Sequence, residues 1–363
     1  MFTFRIRHLA ALSLSALLIA AGCGSNSNSA NNAGSTGANV NPNPSPPIVE
    51  TSSPAPDKLN IKVSFYPLYE FTKNIVGDLA DVETLVPAGI EPHDWEPTAR
   101  DMAAINDADV LVYNGAGMEA WAEQVLDSAS GSKLITVEAS KGLEIMEGTG
   151  EEEAHAEGEA DDHDHADEDH EHADEAHAEE EPGHDHHHGG LDPHVWLAPA
   201  LAIKEVRTIE AALSAASPEN AAAFHTNADS YVAKLEQLDQ DFKDGLAGTK
   251  RTDFITQHAA FGYLAKEYGL TQVPIAGLSP EQEPSAAQMA EIVEFAKAHD
   301  VKTIFFETLV SSSVADTIAQ EIGAKAAVLN PIEGLTDEDR SNKLDYVAIM
   351  RQNLEALKAA LNE

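Results

Sequence analysis

Apolar positions along the chain fall into three patterns, and each predicts a different object. Near the N-terminus, residues 9–21 are almost continuously apolar, directly after Arg5, Arg7 and His8. Residues 24–58 that follow are dominated by Ser, Asn, Gly and Pro and have no apolar period, which predicts a flexible linker. From Leu59 onward, short β-branched or aromatic runs alternate with helical spacings. Runs at 61–65, 82–86, 109–113 and 133–137 read as strands, and 69–76, 99–106 and 119–128 as helices between them. The same alternation returns later, with strands at 253–256, 272–275, 303–306 and 326–329 and helices at 259–268, 286–298, 314–322 and 337–361. Such alternation predicts an α/β fold of two lobes, each a central mostly parallel sheet flanked by helices.

Between the two series lies a third pattern. Phe224, Ala228, Tyr231, Leu235, Leu238, Phe242 and Leu246 step by three or four and form one apolar stripe. Ser217 and Pro218 read as the N-cap and first residue of this helix, and Gly248 as its end. A helix over 217–248 would be about 45 Å long, enough to join both lobes as a rigid strut. The expected organisation is a signal peptide at 1–23, a linker at 24–58, an N-terminal lobe at 59–216, the linking helix at 217–248 and a C-terminal lobe at 249–363.

The apolar run at 9–21 is too short for a comfortable membrane span, and with its basic start it reads as an export signal. It ends in Ala20-Ala21-Gly22-Cys23. Small residues before a cysteine resemble a bacterial lipobox, although Ala20 stands where Leu is usual. Cys23, the sole cysteine, is therefore the expected lipidation site. The chain is expected on the outer face of the bacterial cytoplasmic membrane, held there by its lipid. No intramolecular disulfide and no thiolate metal site is available.

The 363 residues suffice for one or two domains with sizeable cores. Their formal net charge of −40 argues against nucleic acid as a partner, since phosphate contacts need Lys and Arg. Residues 147–190 hold 19 of the acidic residues and no Lys or Arg, and removing them leaves −21. Ten histidines lie in the same stretch. Its repeated units, such as His163-Asp164-His165, His170-Glu171-His172 and His184-Asp185-His186-His187-His188, predict a disordered insertion. The bland reading is a solvated charged loop; the functional one is a low-affinity zinc collector.

Of the remaining histidines, three stand in stiff contexts. His93 lies in Pro92-His93-Asp94-Trp95-Glu96-Pro97 beyond a strand, and His258 in Thr256-Gln257-His258-Ala259 where a strand gives way to a helix. His194 lies in the Pro-stiffened Asp192-Pro193-His194-Val195-Trp196-Leu197. Ligands of open α/β sheets bind beyond the carboxyl ends of strands, which is where two of the three fall. His225 and His299 read as surface residues of helices. A carboxylate is expected to complete the set, and both Glu307 and Glu333 follow strands of the C-terminal series; spacing alone does not choose between them. Three imidazoles and one carboxylate suit tetrahedral zinc, whereas Mn²⁺ would favour more oxygen. The His-Glu-X-X-His signature of zinc proteases is absent.

The segments around His93, His194 and His258, together with Asn330-Pro331-Ile332-Glu333-Gly334-Leu335, resemble the zinc and manganese solute-binding proteins of ABC importers, the ZnuA/AdcA-like family. The likeness runs from about Leu59 to the C-terminus. It implies two lobes joined by one rigid helix, a metal held in the cleft by His93, His194, His258 and Glu333, and delivery to the permease subunits of an ABC importer. The choice of Glu333 over Glu307 comes from the resemblance. His258, where manganese receptors resemble one another in carrying a second carboxylate, agrees with Zn²⁺ as cargo, with Mn²⁺ the alternative. Gln257 departs from the aromatic or hydroxyl residue more usual there. The resemblance also supports the zinc-collecting reading of the His-rich insertion. The chain is expected to act as a monomer and not as an enzyme. The rivals are a manganese or iron receptor, an extracellular zinc hydrolase, and an adhesin or passive metal buffer.

Overall fold

The computed structural model describes residues 58–148 and 190–363. Cys23, the linker and the insertion histidines His163, His165, His170, His172, His184, His186, His187 and His188 lie outside the described residues.

Two four-stranded sheets organise the chain, and both are wholly parallel. The first contains β1 (Leu59–Val63), β2 (Ala80–Thr84), β3 (Val110–Tyr113) and β4 (Ile135–Glu138) in the order β2-β1-β3-β4. The second contains β5 (Asp253–Thr256), β6 (Thr271–Pro274), β7 (Thr303–Phe306) and β8 (Lys325–Val328) in the order β6-β5-β7-β8. The two sheets therefore share one topology, and in each the strand order reverses at the first strand. That reversal opens a crevice beyond the strand ends. Helices α1 (Tyr66–Val76), α2 (Ala99–Asn106) and α3 (Ala122–Ser128) connect the first sheet, and α6 (Gly262–Tyr268), α7 (Ala286–Ala298) and α8 (Ser313–Ile322) the second. The parallel strands need such crossovers. Val110–Tyr113 is buried along its whole length, as expected of an inner parallel strand.

One long helix joins the lobes, and a second packs beside it on the first lobe. Helix α4 (Pro199–Ala216) leads into α5 (Ala221–Leu246), and the two pack side by side. Helix α5 packs against α1 on one lobe and against α6 and α10 (Tyr346–Leu361) on the other. All seven residues of the sequence stripe are buried on it. Burial of each Phe or Leu there contributes about 1.5–3 kcal/mol, so a charge at Leu238 would break the joint between the lobes.

Three local expectations are corrected. Helix α5 starts at Ala221 rather than at Ser217, spans 26 residues, and is about 39 Å long. Ser217 instead ends α4, and its hydroxyl accepts a hydrogen bond from Asn220 Nδ2 (2.9 Å) in the corner between the two helices. The expected helix at 337–361 is two helices, α9 (Asp337–Ser341) and α10. Lys343 adopts φ +54° between them, and Asp345 caps α10 by accepting from the Ala348 N–H (2.8 Å). Residues 259–261 are irregular backbone ahead of α6 instead of its first turn. Helix α4 itself has no counterpart in the sequence expectations.

Candidate metal centre

Four segments from both lobes deliver side chains to one point. His93 stands on the loop between β2 and α2. His194 precedes a 3₁₀ turn, Val195–Leu197, that leads into α4. His258 follows β5 directly, and Glu333 lies on the turn after β8. His194, His258 and Glu333 are buried, and the His93 side chain is 10% exposed.

The Nε2 atoms of the three histidines and Oε1 of Glu333 form a compact cluster. His194 Nε2 is 3.2 Å from both His93 Nε2 and His258 Nε2. Glu333 Oε1 lies 3.3 Å from His93 Nε2, 3.4 Å from His194 Nε2 and 3.3 Å from His258 Nε2. Among the described residues this is the one group of three or more His, Cys, Asp or Glu side chains whose ligand atoms converge in this way.

Glu307 stands elsewhere. Its Oε1 accepts from the His258 backbone N–H (3.1 Å) and lies 2.5 Å from His258 Nδ1. Asp192 treats His194 identically: Oδ1 accepts from the backbone N–H (3.0 Å) and meets Nδ1 at 2.8 Å. In each case the carboxylate faces Nδ1 and so aims Nε2 at the cluster. β5 and β7, the strands at the topological switch point, thus supply His258 and the carboxylate that orients it. Gln257 steadies this arrangement: its Nε2 donates to the Ser311 carbonyl (2.9 Å) and its Oε1 accepts from the Glu307 N–H (3.4 Å). On the first lobe, Glu91 accepts from the His93 N–H (3.0 Å), and burial, with Glu333 nearby, pushes its carboxyl up to about 7.

Electrostatics follow from the packing. Burial pulls His258 down, but the Glu307 and Glu333 carboxylates outweigh it and push the imidazole up to about 10. Burial likewise opposes charge on His194, and Asp192 with Glu333 raises it above its ordinary value. His93 faces one carboxylate, and burial holds it below the ordinary value. Burial alone would raise Glu333; His258 and the hydrogen bonds from all three imidazoles hold it well below the carboxylate range. The pocket is thus built to balance positive charge at its centre.

Cross-lobe hydrogen bonds surround the cluster. Tyr263 Oη, on α6, donates to the Asp192 carbonyl (2.8 Å) and accepts from the Met146 N–H (2.8 Å). Trp196 Nε1 donates to the Pro331 carbonyl (2.8 Å). Asp192 and Trp196 lie within the His194 motif but carry no role by sequence alone, and Tyr263 lies beyond the His258 motif. An Asp two residues before a stiffly held His is the signal that was available for Asp192. His225 and His299 are exposed and far from the cluster in chain and role, His299 as the C-cap of α7.

A two-lobed α/β scaffold with a buried, carboxylate-balanced cluster of imidazoles between its lobes defines a metal-binding receptor-like protein. Residues 61–360 match the family described as zinc-uptake complex component A, periplasmic, and the chain belongs to that family. It is 47% identical over 305 residues to the high-affinity zinc uptake system protein ZnuA of Bacillus subtilis, covering 84% of this chain and 88% of the relative. It is 43% identical over 309 residues to the zinc-binding lipoprotein AdcA of Streptococcus pneumoniae, covering 85% of this chain. This chain spans only 57% of the length of that relative. Among solved structures, the Zn(II)-bound ZnuA-like domain of Streptococcus pneumoniae AdcA superposes with a TM-score of 0.67 at 40% identity, over 85% of this chain and 100% of that one. The laminin-binding protein Lmb of Streptococcus agalactiae, described as having adhesin and metal-transporting activity, superposes with a TM-score of 0.68 at 33% identity, over 84% of this chain and 100% of that one.

Proposed function

We propose that this chain captures Zn²⁺ between its lobes and delivers it to the permease of an ABC importer. The metal would be held by His93, His194, His258 and Glu333. One observation carries the reading. A tetrahedral zinc site with bonds of about 2.0–2.1 Å has ligand-to-ligand edges of about 3.3 Å. The five separations between these ligand atoms given above all lie between 3.2 and 3.4 Å. A larger, oxygen-preferring cation such as Mn²⁺ takes six or more ligands and fits this small nitrogen-rich set less well. Four protein ligands also fill a tetrahedral shell, whereas a zinc hydrolase keeps one position open for water. That supports a receptor over an enzyme. We further infer a lipid anchor at Cys23, a location outside the cytoplasmic membrane, action as a monomer, and the division into signal peptide, linker and two lobes given above.

The test is cobalt substitution with competition titration for zinc. Glu333→Ala is expected to change the visible cobalt bands and to weaken zinc binding by far more than Glu307→Ala. A Glu333→Ala protein with wild-type bands and affinity would overturn the ligand assignment.

A further inference from the structure

The turn that carries Glu333 is backbone-strained and braced from behind. Ile332, immediately before Glu333, has φ +60° and is fully buried. A β-branched residue in the left-handed region is a true outlier, because its side chain crowds the following carbonyl. Such a conformation persists only where the surroundings over-determine it.

Here the surroundings are side-chain amides and an indole. Asn353, on α10, clasps the backbone of Asn330: its Oδ1 accepts from the Asn330 N–H (2.9 Å) and its Nδ2 donates to the Asn330 carbonyl (2.7 Å). The Asn330 side chain then accepts from the Ile332 N–H (2.7 Å). Between them, the Pro331 carbonyl accepts from Trp196 Nε1 (2.8 Å), and the Trp196 carbonyl in turn accepts from Tyr346 Oη (2.5 Å). Asn353, Asn330, Trp196 and Tyr346 are all buried. Tyr346 and Asn353 lie seven residues apart on α10, so one face of one helix supports both ends of the brace. A simple buried turn would not need its backbone held at two successive residues from two other elements and at a third by its own Asn330 side chain.

We propose that Asn353 is a positioning residue for the metal site: through Asn330 it holds Ile332 in its strained conformation and so sets where the Glu333 carboxylate stands. The inference depends on the zinc-receptor reading above. Glu333 closes the metal cluster from the C-terminal lobe, and a shift of the turn moves its oxygen off the tetrahedral vertex while the three imidazoles, oriented by Asp192, Glu307 and their own loops, stay in place. Asn353 hydrogen-bonds to Asn330 and to none of the three histidines. Its loss therefore acts on one ligand alone, by letting Ile332 relax to a negative φ.

The experiment uses the folded chain loaded with Co²⁺ or Zn²⁺ and compares wild type, Asn353→Ala, Glu333→Ala and Leu357→Ala. Leu357 is fully buried on the same helix and takes no part in the brace, so its truncation controls for general loss of stability. Asn353→Ala is expected to weaken zinc binding about 10–100-fold, the usual effect of losing an orienting partner, and to shift the cobalt bands toward those of Glu333→Ala. Leu357→Ala is expected to lower Tm while keeping wild-type bands and affinity. Wild-type bands and affinity in Asn353→Ala overturn the proposal, as does an equal change in Leu357→Ala. If Glu333→Ala itself leaves the wild-type bands unchanged, the ligand assignment fails instead, and the two failures are told apart.

Discussion

His93, His194 and His258 were legible in the sequence because each sits in a rigid segment, two beyond strand ends and His194 behind Pro193, and chemistry at such places is scarce enough to notice. Glu307 and Glu333 were not separable, because both follow strands of the second sheet and differ only in which way their turns aim them. The structure gives them complementary placements, Glu333 within the cluster and Glu307 behind His258. That difference yields a proton-linked prediction. His258 is pushed up to about 10 by its two carboxylates, so at pH 7.5 an incoming Zn²⁺ displaces its proton. Glu307→Gln keeps an acceptor for Nδ1 but removes the charge, which lowers the imidazole pKa and with it the number of protons released. Affinity is still expected to fall about 10–100-fold, because the doubly charged metal gains more from the Glu307 carboxylate than a single proton does. Calorimetry in two buffers of different ionisation enthalpy measures both quantities; equal proton counts in wild type and variant would sink the account.

Most elements announced themselves by period, and the misses have physical causes. Helix α4 was overlooked because a glutamate interrupts its apolar stripe: Ala202, Glu205, Val206, Ile209 and Leu213 are its buried face. Within the described residues both carboxyl oxygens of Glu205 lack a hydrogen-bond partner. Burial, with Glu119 nearby, raises this carboxyl well above its ordinary value of 4.5. An unpaired buried carboxylate is far more costly than an unpaired acid, so the folded protein keeps Glu205 protonated. The break between α9 and α10 was equally invisible, since Lys343 gives no hint of a positive φ. For Glu205 the linkage has a definite sign. The unfolded chain loses this proton above about pH 4.5 while the folded chain retains it, so its contribution to stability is fully present below that value and declines as pH rises toward the folded pKa. The slope is up to about 1.4 kcal/mol per pH unit. Glu205→Gln, neutral at every pH, removes the dependence. In denaturant unfolding, the variant is expected to gain on wild type as pH rises above about 5, and a pH-independent difference between the two would refute a raised Glu205.

At the scale of the whole molecule, the repeated strand–helix series foretold two parallel-sheet lobes, but not the shared strand order or the hydrogen bonds that cross between lobes, which depend on contacts distant in sequence. The acidic, His-rich insertion tests how far the receptor is separable from its appendage. Its two ends are held together: the Gly148 N–H donates to the Gly190 carbonyl (2.7 Å), the Asp192 N–H donates to the Met146 carbonyl (2.9 Å), and Glu147 pairs with Leu191 in an antiparallel bridge. Tyr263 holds both ends of this stem from the other lobe. The stem continues within two residues into Asp192 and His194, so the cluster depends on the stem, not on what the stem encloses. Residues 149–189 are therefore expected to be replaceable by a two-residue Asn-Gly turn, which suits an antiparallel pair so closely spaced. The ten histidines removed with them can bind zinc, but a long polar chain must lose conformational entropy to form each site, so those sites are weaker than the preformed cluster. Titration calorimetry of the full chain is expected to show one tight zinc event followed by weaker ones, and the shortened chain the tight event alone at unchanged affinity. A shortened chain that keeps its fold by circular dichroism yet lacks the tight event would mean that the insertion supplies a primary ligand, and the four-residue site would have to be abandoned.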